Sequence, residues 1–192
     1  MFKCHVYNWN DIERLCRELA RKIKASDFKV DAIVAIARGG WVPARILADL
    51  LGVRELHSVK TEHWGIVATV TGKATITQPL NTRFDGKNVL IVDDVVDTGE
   101  TMNIVKDHVL SLGAKEVRTA VLDYKKTSSF VPDYFGSEME SWKWIVYPWS
   151  IREDVKGLIA KKGARNFEEA LNVLKEFEIE IEDDILREII EE

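Results

Sequence analysis

Residues 88–102 decide the fold, and they read Asn88-Val-Leu-Ile-Val-Asp-Asp-Val-Val-Asp-Thr-Gly-Glu-Thr-Met102. The stretch opens with an apolar run, Val89 to Val92, without alternating polar residues, which is typical of a strand buried on both faces. Acidic residues and a Thr-Gly-x-Thr segment follow, with the composition of a loop that opens a helix. The alternative is a buried strand followed by a solvated acidic turn.

The loop after this strand is suited to hold an anion. Backbone N–H groups at the start of a helix bind phosphate, and Thr98 with Gly99 suits a tight turn that faces such a group. Open α/β sheets bind their ligands outside the carboxyl ends of the strands, which is where Asp93 and Asp94 would lie. The stretch therefore predicts a phosphate site with acidic neighbours.

A second strand and turn precede this one. Residues 30–37 form another mainly apolar run, which ends at Arg38-Gly39-Gly40 before a helix with Pro43 in its first turn. Two glycines allow a ligand to approach the backbone closely, and an arginine supplies a fixed cation for phosphate. The alternative is a turn whose glycines serve only its geometry.

The remaining pattern alternates strands and helices. An amphipathic helix with Asn10 as its N-cap comes first, a short strand is predicted at 55–60, a helix at 99–112 and a strand at 116–122. This alternation predicts an α/β fold, with a central, mainly parallel sheet flanked by helices. Residues 61–83 lack periodicity, and a loop of that length is usually functional or mobile.

Large aromatic residues are concentrated near the end of the main pattern, at Trp142, Trp144, Tyr147 and Trp149. One interpretation is a β hairpin that packs aromatic rings into a small core. The other is a site for a flat ring, because aromatic faces stack on purines. Both interpretations remain open at this point.

Composition narrows the class of protein. The 192 residues contain two cysteines, Cys4 and Cys16, and show no apolar leader and no membrane-length run, so we expect a cytoplasmic protein with no membrane partner. The net charge is −5, and residues 153–192 alone carry 13 acidic against 6 basic side chains. The rest of the chain is nearly neutral, which argues against a nucleic-acid partner.

These motifs resemble those of type I phosphoribosyltransferases. The stretch 88–102 resembles the family's phosphoribosyl-pyrophosphate signature in order and spacing, and Ala37 to Gly40 is similar to its pyrophosphate loop. The resemblance implies the family's fold with a small hood, phosphoribosyl pyrophosphate as substrate, Mg²⁺ as cofactor and a homo-oligomer, a dimer or tetramer. It covers roughly residues 8–152, so we expect a catalytic domain with its hood at 1–152. The remainder, 153–192, is expected to be a helical extension packed on the same domain.

The resemblance also implies roles for individual residues. Asp93 and Asp94 would orient the ribose hydroxyls and Mg²⁺, mostly through water, and Asp97 would be the general base. Ala37, Arg38 and Gly39 would bind pyrophosphate, with a cis peptide between Ala37 and Arg38. A flexible loop would close over the site; its start reads His63-Trp64 where family members often carry Ser-Tyr. The 5-phosphate would be held by residues of one loop: Val96, Asp97, Thr98, Gly99, Glu100 and Thr101.

The later motifs are similar to the 6-oxopurine branch of the family. On that resemblance Lys125 would bond the 6-oxo group, Trp144 would stack on the purine, and Ile145 would offer backbone groups to the 2-position edge. Lys126 is the alternative to Lys125. The Trp-Ile-x-x-Pro-Trp spacing looks like that of bacterial xanthine-guanine enzymes, which carry Asp where this chain has Ser150.

The expected activity is transfer of the 5-phosphoribosyl group to N9 of hypoxanthine, guanine or xanthine in purine salvage. One alternative is the same reaction with adenine or orotate. Another is a non-catalytic regulator of this fold that binds phosphoribosyl pyrophosphate. A lysine ammonium only donates, which favours a 6-oxo over a 6-amino group.

Overall fold

The computed structural model describes residues 4–62 and 74–191 together with the backbone of His63. Trp64, one of the two residues predicted at the start of the closing loop, lies outside the described residues, as does the side chain of His63. The strands are β1 (Cys4–Val6), β2 (Ala32–Ala37), β3 (Leu56–His63), β4 (Ala74–Gln78), β5 (Asn88–Val96), β6 (Glu116–Lys125), β7 (Tyr134–Met139) and β8 (Trp144–Val146). The helices are α1 (Trp9–Ala25), α2 (Trp41–Leu51), α3 (Glu100–Ser111), α4 (Ile151–Lys162), α5 (Phe167–Glu176) and α6 (Asp183–Glu191).

A six-stranded sheet in the order β4-β3-β2-β5-β6-β7 forms the centre of the fold. All neighbouring strands are parallel except β3 and β4, which pair antiparallel. All six residues of β2 and the run from Val89 to Val92 in β5 are buried, as their continuous apolar sequences predicted. The predicted fold class is confirmed.

The strand order places a switch point between β2 and β5. From β2 the chain continues to β3 on one side, and from β5 it continues to β6 on the other. The helices that follow these two strands therefore leave a crevice at the carboxyl ends of the strands, where open α/β sheets bind ligands. Both predicted phosphate turns lie at these two strand ends.

The chain divides into two compact units. One comprises Ile12–Ser141 and contains the six-stranded sheet. The other comprises Met1–Asp11 and Trp142–Glu192, and contains the small sheet of β1 and β8 and the helices α4, α5 and α6. The predicted boundary at residue 152, with the extension packed on the catalytic domain, stays a prediction.

The aromatic segment is not a hairpin. Its strand β8 pairs in parallel with β1, so that Cys4 lies beside Trp144 and Val6 beside Val146. Val146 is fully buried and packs with side chains of α4, α5 and α6, including Val155, which is also fully buried. The three helices predicted after residue 152 are present, and their apolar faces build the core of this unit.

The start of α1 differs from the prediction. Asn10 lies inside the helix, so it is not the N-cap. The side chain of Asn8 instead accepts a hydrogen bond from the Asp11 N–H at 3.0 Å, and Asp11 accepts one from the Asn8 N–H at 3.2 Å. This reciprocal pair is a capping box that begins two residues earlier.

None of the helices within residues 4–63 and 74–191 combines the length and apolar character that crossing a membrane requires.

Candidate active site

The turn after β2 brings the backbone against β5. The Ala37–Arg38 peptide is cis, as the resemblance implied. A Cβ atom on Gly39 would overlap the carboxylate of Asp94, and one on Gly40 would overlap the carbonyl oxygen of Val92. Glycine is therefore required at both positions, because the backbone of the turn lies so close to β5 that a Cβ atom would not fit.

Asp93 and Asp94 lie side by side near the end of β5. The Asp94 N–H donates to Asp93 Oδ1 at 2.9 Å, and the Val95 N–H donates to Asp94 Oδ1 at 2.8 Å. Burial raises the pKa of Asp93 well above its usual range, and the neighbouring Asp94 charge adds to the effect. Burial also raises the pKa of Asp94, to about 6, with a smaller contribution from buried Asp123 on β6. A cation bound here would favour the ionised form of both carboxyl groups.

These two carboxylates can contribute to a magnesium site but do not form one alone. No group of three or more His, Cys, Asp or Glu side chains with metal-binding geometry occurs within the described part of the chain. Carboxylate oxygens are suitable ligands for Mg²⁺, which usually keeps several waters and takes further oxygens from phosphate substrates. The residues present therefore fit a metal that is held jointly by the protein and its substrate.

The loop before α3 is supported from behind by residues 128–130. Gly99 adopts a left-handed conformation with φ of 91°, and a Cβ there would overlap Cβ of Phe130. The Thr98 carbonyl oxygen accepts hydrogen bonds from the Ser129 N–H at 3.3 Å and from Ser129 Oγ at 3.0 Å. The sequence carried no signal for this support, because residues 128–130 belong to no periodic element.

One cavity of about 280 Å³ collects most of the predicted anion-binding residues. It is lined by residues from β2, β3, β5, the two turns and the first turn of α3: Ile36, Ala37, Arg38, Gly39, Thr61, Asp93, Asp94, Val95, Val96, Asp97, Thr98, Gly99, Thr101 and Met102. Glu100 was predicted in the 5-phosphate loop but does not line this cavity, and its side chain is exposed at the start of α3. Thr61, which also lines the cavity, was not predicted as a site residue.

Lys125 is connected to this cavity through Asp97. Its side chain is 4 % exposed, and Nζ donates to Asp97 Oδ2 at 2.8 Å. Lys126 is exposed and forms ion pairs with Glu138 at 2.6 Å and with Glu140 on the protein surface. The geometry thus favours Lys125 over the alternative Lys126.

The aromatic residues of the other unit fall into two groups. Tyr147 stacks on Trp149 with ring centroids 4.7 Å apart, and on Tyr7 at 5.7 Å, while Trp9 lies 6.1 Å from Trp149. These rings pack on one another, as the interpretation of a small aromatic core required. Trp144 is outside this stack.

Trp144 is half-buried on β8, and its indole N–H donates to Asp154 Oδ1 at 3.1 Å. Ile145 is buried beside it, paired with His5 of β1. The predicted purine-stacking residue is therefore held by a contact of its own, and Asp154 was not among the predicted site residues.

A doubly wound sheet with paired carboxylates and two anion-binding turns at its switch point is the site of a protein that binds phosphorylated sugars or nucleotides. The chain belongs to the family described as phosphoribosyl transferase domain, which matches residues 5–155. This confirms the resemblance found in the sequence and the predicted enzyme class, a phosphoribosyltransferase.

Similar proteins support this assignment. The chain is 32 % identical over 141 residues to a xanthine-guanine phosphoribosyltransferase of Gluconobacter oxydans, covering 73 % of this chain and 81 % of the relative. A purine phosphoribosyltransferase structure from Pyrococcus horikoshii Ot3 is 37 % identical with a TM-score of 0.68, covering 77 % of this chain and 93 % of that one. A hypothetical protein from Neisseria gonorrhoeae, solved with bound ppGpp, is 34 % identical with a TM-score of 0.68, covering 78 % and 90 %.

Proposed function

We propose that this phosphoribosyltransferase transfers the 5-phosphoribosyl group from phosphoribosyl pyrophosphate to N9 of a 6-oxopurine, releasing pyrophosphate, in purine salvage. The observation that carries the choice of base is the buried Lys125, whose ammonium lies 2.8 Å from Asp97 beside the anion-binding cavity. A lysine ammonium can only donate hydrogen bonds, so it favours the 6-oxo group and disfavours the 6-amino group of adenine. The names of the Gluconobacter and Pyrococcus relatives support the same class of acceptor.

The donor is held at both ends of the cavity. Arg38 and the backbone around Ala37 and Gly39 bind the pyrophosphate, because this turn combines a fixed cation with a backbone that a ligand can approach closely. The loop from Val96 to Thr101 binds the 5-phosphate through its N–H groups and the hydroxyls of Thr98 and Thr101. The exposed Glu100 contributes its backbone N–H to this loop.

Asp93 and Asp94 orient the ribose hydroxyls together with Mg²⁺. Asp93 and Asp94 would hold the cation, mostly through water, and the cation would supply positive charge that favours departure of the pyrophosphate. The close approach of Gly39 to Asp94 brings the pyrophosphate turn and the ribose carboxylates within reach of one donor molecule.

The acceptor base needs a partner for its proton. The bond between the anomeric carbon and pyrophosphate breaks, a bond from that carbon to N9 forms, and the proton lost by the base passes to Asp97 near N7. Lys125 holds the 6-oxo group, Trp144 stacks on the ring, and the backbone of Ile145 faces the 2-position edge. The hydrogen bond from Lys125 keeps the Asp97 carboxylate oriented before the base arrives.

We propose that the loop that begins at His63 and Trp64 closes over the active site during catalysis. A closed loop excludes water and limits hydrolysis of the donor. We propose further that the protein works in the cytoplasm as a homodimer or homotetramer. The small number of cysteines in the chain supports this location.

A base panel tests this function. Purified protein is incubated with phosphoribosyl pyrophosphate, Mg²⁺ and hypoxanthine, guanine, xanthine, adenine or orotate, and pyrophosphate release is measured. We expect release with at least one 6-oxopurine and little with adenine or orotate. Release only with adenine or orotate would assign another base, and no release with any base would favour a non-catalytic regulator.

Asp97→Asn tests the proposed role of Asp97 as the general base. The substitution removes the proton acceptor but keeps the size of the side chain, so turnover is expected to fall about a hundredfold or more with little change in donor affinity. Asp107→Asn, which alters an exposed carboxylate on α3, is the control. Unchanged turnover in Asp97→Asn would remove Asp97 from the role of base.

A further inference from the structure

Trp144 has a specific partner outside its own strand. An indole N–H can only donate, and a partly buried tryptophan usually has an acceptor for it. Here the acceptor is Asp154 Oδ1, 3.1 Å away, in the first turn of α4. The contact joins β8 to the helical segment that follows it.

The carboxylate of Asp154 is itself held in place. Its second oxygen, Oδ2, accepts a hydrogen bond from Ser150 Oγ at 2.7 Å, and its backbone N–H donates to the Ser150 carbonyl oxygen at 2.9 Å. The next residue, Val155, is fully buried in the apolar core of this unit, which fixes the first turn of α4. Both carboxylate oxygens therefore have a defined partner, and the indole is tied to a fixed point.

We propose that Asp154 is a positioning residue for purine binding, which sets the plane of the Trp144 indole through this hydrogen bond. The inference rests on the proposed stacking of Trp144 on the base and adds a residue to that site. An indole on β8 can rotate about its side-chain torsions, and ordering it only on binding would cost part of the stacking energy. Asp154 orders the ring in advance. The first turn of α4 thereby takes part in recognition of the base.

The surroundings of the Asp154 carboxyl group support its pairing with Trp144. Burial raises the pKa of Asp154, whereas the hydrogen bonds from Ser150 and Trp144 lower this pKa because they favour the charged form. A carboxylate kept in partly buried surroundings needs such donors to remain ionised. The Trp144 indole is one of them, so the ring and the carboxylate stabilise each other.

A double-mutant cycle tests the proposal. Steady-state constants for guanine and for phosphoribosyl pyrophosphate are measured for wild type, Asp154→Ala, Trp144→Phe and the double variant. We expect Asp154→Ala to raise KM for guanine about tenfold, because base stacking on an aromatic ring contributes at least this order of affinity. The KM for phosphoribosyl pyrophosphate and kcat are expected to change less than about twofold. In the Trp144→Phe background, which has no indole N–H, Asp154→Ala is expected to have no further effect.

Three further variants make the cycle specific. Asp154→Asn keeps an oxygen that can accept from the indole and should restore KM for guanine close to wild type. Glu168→Ala removes an exposed carboxylate from the first turn of α5, a different helix of the same unit, and serves as the control. Ser150→Ala releases Asp154 without altering it, and should raise KM for guanine about twofold to threefold, again only when Trp144 is present. This last variant carries the test if Asp154→Ala does not fold.

The outcomes separate this inference from the proposed function. If Asp154→Ala raised KM for guanine equally in wild type and in the Trp144→Phe background, the positioning role would be overturned. Changes of similar size in both KM values and in kcat would overturn it as well. A wild-type protein that neither uses a 6-oxopurine nor binds guanosine monophosphate by calorimetry would overturn both. If wild type used a 6-oxopurine but the effects of Asp154→Ala and Trp144→Phe on KM for guanine were additive, only the positioning role would be overturned.

Discussion

Lys125 is proposed to bind the 6-oxo group and Asp97 to accept the proton of the base, and the two side chains form an ion pair. The lysine is nearly fully buried, whereas the Asp97 side chain is 40 % exposed and reaches the cavity. A buried ammonium needs a partner in the absence of the base, and Asp97 supplies it. An incoming 6-oxo group would offer the ammonium a second acceptor.

Lys125→Ala tests the recognition of the base at this pair. A hydrogen bond to a charged group contributes about 1.5–3 kcal/mol, so the KM for hypoxanthine or guanine is expected to rise at least about tenfold. The neighbouring Lys126→Ala is the control, because Lys126 is engaged with Glu138 and Glu140 at the surface. Steady-state kinetics with both bases measure the effect. If Lys126→Ala carried the loss instead, the assignment of the 6-oxo contact would be wrong by one residue.

Asp94 makes the stability of the protein depend on pH. Its pKa is raised by burial from 3.8 to about 6, so the folded chain holds this proton more tightly than the unfolded chain does. The free energy of unfolding therefore falls as the pH rises from about 4 to 6. Asp94→Asn removes the ionisable group and should reduce the loss between pH 4 and 7 by up to about 3 kcal/mol.

Urea unfolding at the two pH values, without divalent cations, measures this difference. Asp107→Asn, which alters an exposed carboxylate on α3, is the control. An Asp94→Asn variant that loses as much stability as wild type would contradict the prediction.

At the scale of single residues, sequence motifs identified most of the residues that line the cavity, but not the contacts that support the site. Asp93, Asp94, Arg38 and Thr98 occur in short contiguous patterns, and the cavity collects them. Asp154 reaches Trp144 across ten positions, with no spacing that marks the pair in the sequence. Contacts of this kind depend on how elements pack, which local pattern does not contain.

Among the elements, the loop before α3 depends on the conformation of Gly99. Gly99→Ala would place a Cβ at φ of 91° and against Phe130, so we expect a destabilisation of about 1–3 kcal/mol. Because the 5-phosphate loop must shift, the KM for phosphoribosyl pyrophosphate should rise about tenfold or more. Thermal unfolding and steady-state kinetics measure the two effects.

Gly157→Ala is the matched control for this change. Gly157 lies within α4, and a Cβ there would meet no atom within 4 Å. Alanine is a better helix former than glycine, so this variant should gain about 0.5–1 kcal/mol with unchanged kinetics. If Gly99→Ala behaved like Gly157→Ala, the loop would not require the left-handed conformation.

The long elements could be predicted from sequence, and the short ones could not. The strand β5 was evident from its uninterrupted apolar run, and α1 from its amphipathic spacing. The strands β1 and β8 contain three residues each, too few to show a period. Their pairing depends on the burial of Val146 against α4, α5 and α6, which is a tertiary effect.

For the whole molecule, the two units each contain an apolar core of their own. Leu174 is 2 % exposed among the side chains of α4, α5 and α6, and Ile91 is fully buried among those of the six-stranded sheet. Large-to-small substitutions at such positions cost about 2–5 kcal/mol. The cost should therefore appear mainly in the unit that contains the substituted residue.

Amide hydrogen exchange can show which unit loses stability when a core residue is replaced. We expect Leu174→Ala to increase amide exchange in β8 and in α4 to α6, and to leave β2, β5 and β6 protected. Ile91→Ala should have the opposite pattern, which makes each variant the control for the other. A uniform increase across both units in either variant would contradict the prediction that their cores respond separately.

The pairing of β1 with β8 has a consequence for the synthesis of the chain. Cys4 leaves the ribosome long before Trp144, its neighbour in the small sheet. At about 5–20 residues per second, roughly 7 to 28 seconds pass between the two. During that time the residues of β1 cannot pair with β8, whereas the strands of residues 12–141 can already assemble. The small sheet can therefore form only after residues 12–141 have been synthesised.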